Sequence, residues 1–426
     1  MTLPETLAGW LDYIERQHPQ AIAMALDRVI VVRDALALKP GFPVITVGGT
    51  NGKGSACMML DAILGHAGYR VGTYTSPHLL RYNERVRIAG READDADLAR
   101  AFAAVEHARH DCAVPLTYFE FGTLAALWLF RECRVDAAIL EVGLGGRLDA
   151  VNAFDADVAL LMSVGLDHME YLGSTREAIG AEKARIFRSG RPAICADPDP
   201  PATVTEYAAR ISAGLLQIGR DFGYVAQPRQ WRYWGPGGDR HGLPLPALRG
   251  GFQVANASAC IAVLDALRER LPVSAADTRG GLVGVENPGR FQVLPGRPAV
   301  VLDVAHNPHA AAALAANLTQ MTGYRQTLAV FSMLKDKDVV GVARALRGHV
   351  DHWLVAPLAG PRTMSAAALE QSLRAAGVTT GITTCTNIAE ACDCACRMAV
   401  DDDRILAFGS FLTVAAAMTA IRARRT

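Results

Sequence analysis

No surplus of charge, no long apolar run and no disulfide framework mark this chain. Lysine plus arginine and aspartate plus glutamate stand at 43 each in 426 residues. Proteins that bind nucleic acid or lie on a membrane surface usually carry a basic excess, so the balance argues against both partners. It leaves room for a local basic pocket around a phosphate. No stretch reaches the roughly 20 apolar residues needed to cross a bilayer. The opening residues, Met1 to Trp10, carry Glu5 and lack the basic-then-apolar order of a secretory leader. The chain therefore reads as cytosolic, and a monomer is the default expectation. Its nine cysteines are odd in number and scattered, unlike the clustered pairs of a stapled secreted domain. Cys392, Cys394 and Cys396 lie close together, but alternate residues of a helix face different sides and cannot readily meet one ion. They are expected to serve as small apolar residues of a helix from Ile388 to Val400.

What is present is a globular composition, with half of the residues apolar and a fifth charged. The length suggests two domains of ordinary size. The first forty residues look helical, with apolar spacing through Leu7, Trp10, Leu11 and Ile14. Val44 to Val47 reads as a buried strand running into Gly48 and Gly49. Helix is expected from Ser55 to Ala67, strand from Arg70 to Tyr74, a buried helix from Phe119 to Phe130, and strand from Ala137 to Val142. Strand Val158 to Val164 and a helix from Thr175 to Phe187 follow. This alternation indicates a parallel sheet covered on both faces. Gln227 to Gly251, rich in Trp, Gly and Pro, reads as loop or a small hairpin before a helix from Asn256 to Arg268. A turn-rich stretch at Glu286 to Arg290 marks a boundary. Strands are expected again at Val300–Val304, Thr327–Phe331, His352–Val355 and Arg404–Phe408, with a closing helix from Thr413 to Arg422. The expected organisation is an N-terminal phosphate-loop α/β domain over 1–295 and a smaller Rossmann-like α/β domain over 296–426. A cleft between two such domains is a common ligand site.

Gly48-Gly49-Thr50-Asn51-Gly52-Lys53-Gly54-Ser55 lies between the first strand and a helix. Glycines let backbone N–H groups turn toward phosphate oxygens, and a helix N-terminus adds partial positive charge. Lys53 supplies a full charge, and Ser55 can offer a hydroxyl to Mg²⁺. Gly54 separates the lysine from the serine, so the loop is a variant of the standard phosphate-loop pattern. By itself it indicates a nucleotide and says nothing of an acceptor.

That variant resembles the loop of the Mur ligase superfamily, in particular its folylpolyglutamate synthase branch. Further segments resemble it in order along the chain. They are Ser76-Pro77-His78-Leu79, Arg81-Tyr82-Asn83-Glu84-Arg85-Val86, Leu116-Thr117-Tyr118-Phe119-Glu120, and Glu141 through Asp149 with its Gly-Leu-Gly-Gly-Arg core. Leu166-Asp167-His168, Glu182-Lys183-Ala184, Gly289-Arg290-Phe291, Asp303 through His309 and Phe408-Gly409-Ser410-Phe411 complete the set. The likeness runs from about Trp10 to the C-terminus and is strongest to the bacterial bifunctional enzymes. Three positions depart from it. Val151 stands where the family usually has Thr, which bears on a pterin hydrogen bond. Arg185 stands where Gly is common and adds a charge beside Lys183. Phe252 stands where many relatives have His.

The resemblance implies an ATP-dependent amide synthase that joins L-glutamate to dihydropteroate and to reduced folates through an acyl phosphate. Such chemistry needs mostly positioning and charge neutralisation. ATP would be held by Gly49, Thr50, Asn51, Gly52, Lys53, Gly54 and Ser55, with Asn256 on the adenine side and Arg290 and Asp303 reaching it from the hinge and the second domain. Two Mg²⁺ are implied, one at Ser55 and one at Ser76, Glu141 and His168. Lys183 is implied to be carbamylated by CO₂ and to support that metal; the reaction needs a neutral amine, so its pKa must be lowered by its surroundings. Glu182 and Arg185 are its sequence neighbours and push in opposite directions. Thr117 and Phe119 are implied in the pterin pocket, with Leu26 and Ala150, Val151 and Asn152 beside them. His306 and Asn307 are implied on the glutamate side. Lys53, Lys183, Asp303 and His306 would carry the chemistry, and catalysis would require domain closure. The alternatives are the extension activity alone, a ligase for peptidoglycan precursors, or a nucleotide-dependent switch. Partners would be small molecules.

Overall fold

The computed structural model describes residues 3–18, 22–379 and 381–425. Part of the helical expectation for the first forty residues, at 1–2 and 19–21, lies outside that range. The remainder forms two helices, Leu7–Glu15 and Asp27–Ala35. Leu7, Trp10 and Ile14 are buried, which matches the i, i+3, i+7 spacing of one helix face. Two compact units divide the chain. The first runs to Ala247 and resumes over Val254–Val285, and the second takes Leu248–Gln253 and continues from Glu286.

The first unit is built on an eight-stranded sheet. Its strands are β1 Val44–Gly48, β2 Val71–Tyr74, β3 Val86–Ile88, β4 Arg91–Glu92, β5 Ala137–Glu141, β6 Val158–Leu161, β7 Pro192–Cys195 and β8 Gly214–Gln217. Their spatial order is β4-β3-β2-β5-β1-β6-β7-β8. All neighbours are parallel except β2–β3 and β3–β4. β1 is buried at every residue, as expected for a strand covered on both faces. From β1 the chain moves to one side for β2 and β5, then crosses to the other for β6. The carboxyl end of β1 is therefore a topological switch point, where open α/β sheets collect their ligands. Core packing joins Trp10, Phe102, Phe121 and Phe130, each buried, and fully burying such side chains contributes about 1.5–3 kcal/mol apiece.

The segment expected as loop or small hairpin holds a hairpin of β10 Gln230–Trp234 and β11 Arg240–Pro244, and β9 Gly223–Ala226, just before it, extends the pair to a three-stranded antiparallel sheet. Trp231 and Tyr233 alternate with the half-exposed Arg232 and are fully buried, a period of two that Gly and Pro on either side disguise.

The second unit carries six strands: β12 Gln292–Leu294, β13 Ala299–Asp303, β14 Thr327–Phe331, β15 His352–Val355, β16 Gly381–Thr384 and β17 Arg404–Phe408. The order is β12-β13-β17-β14-β15-β16. Only β12 is antiparallel to its neighbour. β17 pairs with both β13 and β14 and sits between them. Phe331, Trp353 and Phe408 meet in the core with ring centroids 4.8–5.9 Å apart. The Cys392–Cys396 run lies in the helix Ile388–Met398, as expected, with Cys392 buried and the other two partly so.

Candidate active site

In the first unit, the phosphate loop leaves β1 and enters the helix Lys53–His66. Gly49 and Gly52 have φ of +135° and +90°, the left-handed side that glycine adopts without penalty. A side chain at Gly49 would strike Met162 Cβ at 2.7 Å, and one at Gly52 would crowd Asn256 Oδ1 at 3.2 Å. Asn256, buried, therefore packs directly on the loop. Thr50 N donates to Ser163 O at 2.6 Å, and Asn51 N to Ser163 Oγ at 3.1 Å. The Thr50 hydroxyl both donates to Gly165 O and accepts from Gly165 N. These bonds pin the loop to the segment after β6. With the Thr50 and Asn51 amides so engaged, the anion-facing donors fall to the first helical turn, Lys53 to Ser55, whose N–H groups a helix leaves over. Lys53 Nζ curls back onto the carbonyls of Gly49 and Thr50 at 3.1 and 3.2 Å. Gly54 and the buried Ser55 lie in the same turn.

Lys183 ends the helix Arg176–Lys183 and is 5% exposed. Its Nζ donates to Gly49 O at 3.0 Å, so it touches the phosphate loop itself. Burial first, and the Lys53 charge second, push its ammonium from the ordinary 10.5 down to about 7, against the pull of Asp167 and Asp149. The sequence neighbours weighed for this role point elsewhere. Glu182 binds Arg147 at 3.0 Å, and the Arg185 guanidinium lies 4.8 Å from the Tyr207 ring centre. Sequence reasoning missed Asp149 and Asp167 as members of this cluster. Asp149 is buried and accepts from the N–H groups of Leu144 at 2.8 Å and Val151 at 3.1 Å. Desolvation lifts its carboxyl to about 7, while those amides and Lys53 oppose the rise. An acidic residue closing a glycine-rich turn was the available signal. Spacing alone could not tell that it turns inward.

Glu141 ends β5, is 3% exposed, and accepts from Ser76 N at 3.0 Å. Two of the expected metal ligands are thus side by side. His168 has left-handed φ of +51°, its N–H donates to Asp167 Oδ1 at 2.9 Å, and its Nε2 lies 4.0 Å from the same oxygen. The structure thus joins Ser76 to Glu141 and His168 to Asp167; a hydroxyl, a carboxylate and an imidazole are donor types that suit the divalent cation the resemblance implies.

On the expected pterin side, Thr117 caps the helix Tyr118–Glu132 through a reciprocal capping box with Glu120. Glu120 Oε1 is bound by Arg28 at 2.7 Å, and Arg28 also donates to Ala23 O, tying the segment before Leu26 to this helix. Phe119 is half-buried, 5.8 Å from Tyr74 between ring centres, and its ring covers Gly143, where a Cβ would meet it at 2.7 Å. Ala150 and Val151 are buried. The Asn152 amide is occupied by the carbonyls of Arg147 and Arg185 and by the Arg188 guanidinium.

In the second unit, Asp303 ends β13 and accepts from Phe291 N and Ala305 N, both at 2.8 Å. Burial raises its pKa, with those amides, Arg290 and His306 pulling it back. Arg290 is held between Gly289 (φ +73°) and Phe291 (φ +45°) and lies over the Phe411 ring at 4.7 Å. His306 Nδ1 faces Val304 O at 2.8 Å. A carbonyl only accepts, so Nδ1 carries the proton and Nε2 is the basic nitrogen. Asn307 is buried and caps the helix Pro308–Gln320 by accepting from Ala310 N.

A lysine with a lowered pKa against a phosphate loop, within reach of the loop carboxylates Asp149 and Asp167, is the equipment of a nucleotide-dependent group-transfer enzyme. The chain belongs to the Mur ligase family: residues 47–264 match the model of the Mur ligase middle domain, and residues 289–411 that of the Mur ligase glutamate ligase domain. Within that family it is 45% identical over 421 residues to the dihydrofolate synthase/folylpolyglutamate synthase of Escherichia coli, covering 99% of this chain and 96% of the relative. It is 38% identical to the Haemophilus influenzae protein of the same name, covering 96% of each. Among solved structures, Escherichia coli FolC in complex with DHPP and ADP superposes with a TM-score of 0.94 at 43% identity over the full length of both chains. The Yersinia pestis bifunctional enzyme with Mn, AMPPNP and L-glutamate bound gives 0.90 at 42% identity, covering 99% of this chain and all of that one.

Proposed function

We propose that this chain ligates L-glutamate to dihydropteroate, giving dihydrofolate, and adds glutamate to reduced folates, with ATP cleaved to ADP and phosphate. The observation that carries this reading is the contact of Lys183 with the phosphate loop in a chain that aligns end to end with enzymes bearing both names. The acceptor carboxylate attacks the γ-phosphoryl group to give an acyl phosphate, and the glutamate amine then displaces phosphate. Lys53 and the first turn of its helix neutralise the phosphates and Asn256 flanks the nucleotide, while the family resemblance assigns Arg290 and Asp303 as further nucleotide contacts. His306 Nε2 takes a proton from the glutamate ammonium, freeing the amine that attacks, with Asn307 holding the adjacent turn. Phe119 offers a flat face to the pterin, with Leu26, Thr117, Ala150, Val151 and Asn152 around it. Ser55 would hold one Mg²⁺, and Ser76, Glu141 and His168 a second. Bound there, the metal supplies charge neutralisation at the transferring phosphoryl group. A neutral Lys183 would add CO₂ and lose a proton, becoming an anionic carbamate that could support a bound metal. We assign the protein to the cytoplasm as a monomer; among the described residues no helix is long and apolar enough to cross a membrane.

The test is mass spectrometry of products from ATP and glutamate with dihydropteroate and with tetrahydrofolate in parallel. Dihydrofolate and a tetrahydrofolate longer by one glutamate are expected. Product from tetrahydrofolate alone leaves only the extension activity. ATP hydrolysis without a new amide refutes the ligase reading.

A further inference from the structure

Within the first unit, Arg85 is a half-buried guanidinium that makes no salt bridge among the described residues. Four other arginines of this unit are ion-paired: Arg28 with Glu120, Arg81 with Glu92, Arg109 with Glu106 and Arg147 with Glu182. Arg85 ends the turn Tyr82–Arg85, and its carbonyl accepts from Thr75 N at 2.9 Å, which places it opposite the strand end that leads into Ser76. Its guanidinium carbon lies 5.4 Å from the ring centres of both Tyr82 and Tyr118. Its Nε donates to His78 Nδ1 at 2.8 Å. Arginine can only donate, so that histidine nitrogen is bare and its proton sits on Nε2. The cluster thus holds two Nη groups and an imidazole N–H, all donors, within aromatic walls. On one side it borders Ser76, and on the other Tyr118 stands between Thr117 and Phe119.

We propose that Arg85 is the seat of a substrate carboxylate that does not react, and so the residue that separates chain extension from the first ligation. This rests on the two-activity reading above. Dihydropteroate has a single carboxylate, the one that must be activated. A folate ends in a glutamate with two, of which one is activated and the other must be lodged. A spectator carboxylate in a half-buried place needs a cation, and the fork of an arginine meets it in two parallel hydrogen bonds. The Arg85 guanidinium lies over Tyr118, the residue before Phe119, and the Arg85 carbonyl is bonded to Thr75, the residue before Ser76, so Arg85 is joined to the neighbours of both the expected ring site and the expected reacting end. The aromatic walls keep the guanidinium plane fixed, so little order is lost when the anion arrives.

The experiment compares Arg85→Met and Arg85→Lys with the wild type on three acceptors: dihydropteroate, tetrahydrofolate, and a tetrahydrofolate analogue ending in γ-aminobutyrate, which lacks the second carboxylate. Loss of a charge-assisted hydrogen bond should raise the ratio of the KM for tetrahydrofolate to the KM for dihydropteroate by about 10- to 100-fold in Arg85→Met, with partial recovery in Arg85→Lys. The ratio for the analogue should stay within about twofold of the wild-type value, since no bond to its missing carboxylate is lost. An equal rise for all three acceptors would make Arg85 a structural post and overturn the proposal, as would no change in any ratio. Should Arg85→Met fail to fold, the wild type decides: it must favour tetrahydrofolate over the analogue by a comparable factor, and equal KM values overturn the proposal. Absence of amide product from every acceptor in the wild type is a separate readout that refutes the ligase reading and this inference together.

Discussion

Replacing Lys183 by methionine should make the apo protein more stable, by a margin that depends on pH in a calculable way. In the folded protein this amine titrates near 7, against an ordinary value of 10.5. Between those values the unfolded chain binds the extra proton, so the wild type gains stability as pH rises through that window. Below about pH 7 the charged amine is buried at a cost of the order of 5 kcal/mol, the full shift converted at 1.36 kcal/mol per unit. Methionine removes that cost at every pH. It also removes the hydrogen bond to Gly49 O, a loss of about 1 kcal/mol that does not vary with pH. The mutant's advantage is therefore largest near pH 6 and should shrink by roughly 2.5 kcal/mol by about pH 9. Asp149 titrates in the same region, near 7, and its folded-state pKa is raised. Its contribution falls as pH rises from about 4 to 7, and because it is coupled to Lys183 the gap is cleanest above about pH 7.5, where that fall is largely complete. The assay is urea unfolding of both proteins between pH 6 and 9 in metal-free buffer purged of CO₂. A stability gap that stays flat over that range would show that Lys183 titrates as an ordinary lysine, and the argument for a reactive neutral amine would go with it.

Other outcomes follow from the same geometry. Gly52→Ala should weaken ATP binding at least about tenfold and cost about 1 kcal/mol of stability, because its φ of +90° disfavours a side chain and the new Cβ crowds Asn256; equilibrium binding of a non-hydrolysable ATP analogue reads the first effect and urea titration the second. Glu141→Gln keeps an acceptor for Ser76 N but loses the charge, and should raise the Mg²⁺ concentration for half-maximal turnover about 10- to 100-fold, as losses around a metal site do. Thr117→Ala removes the hydroxyl that accepts from Glu120 N, leaves the backbone bond from residue 117 to the Glu120 carboxylate, and should lower stability by about 1 kcal/mol, seen as a shifted urea midpoint.

Much of the fold was legible because its central strands are fully buried and so written as unbroken apolar runs. β1, β14, β15 and β17 fall within a residue of their expected bounds. The edges were not legible. β3 and β4 carry alternating arginines, β7 opens on Pro192, and β8 and β16 open on glycine; short, half-wet strands give no continuous signal. The phosphate loop was visible because its chemistry requires glycine, lysine and a following helix in sequence. What could not be read was proximity between segments far apart in the chain. Asp149, Asp167 and Lys53 gather around Lys183, while its neighbours Glu182 and Arg185 face other partners. The electrostatic setting of that lysine is a tertiary property.

The position of β17 has a bearing on how the second unit is made. Its residues 404–408 bridge β13 and β14, so a segment translated about a hundred residues after β13 supplies the middle of the sheet. Until it arrives, β13 and β14 each offer an open apolar edge, the kind of surface on which unfinished chains stick to one another. A polypeptide cut short just before Arg404 would keep nearly every functional group named above, yet emerge as an aggregation hazard rather than a weakened enzyme.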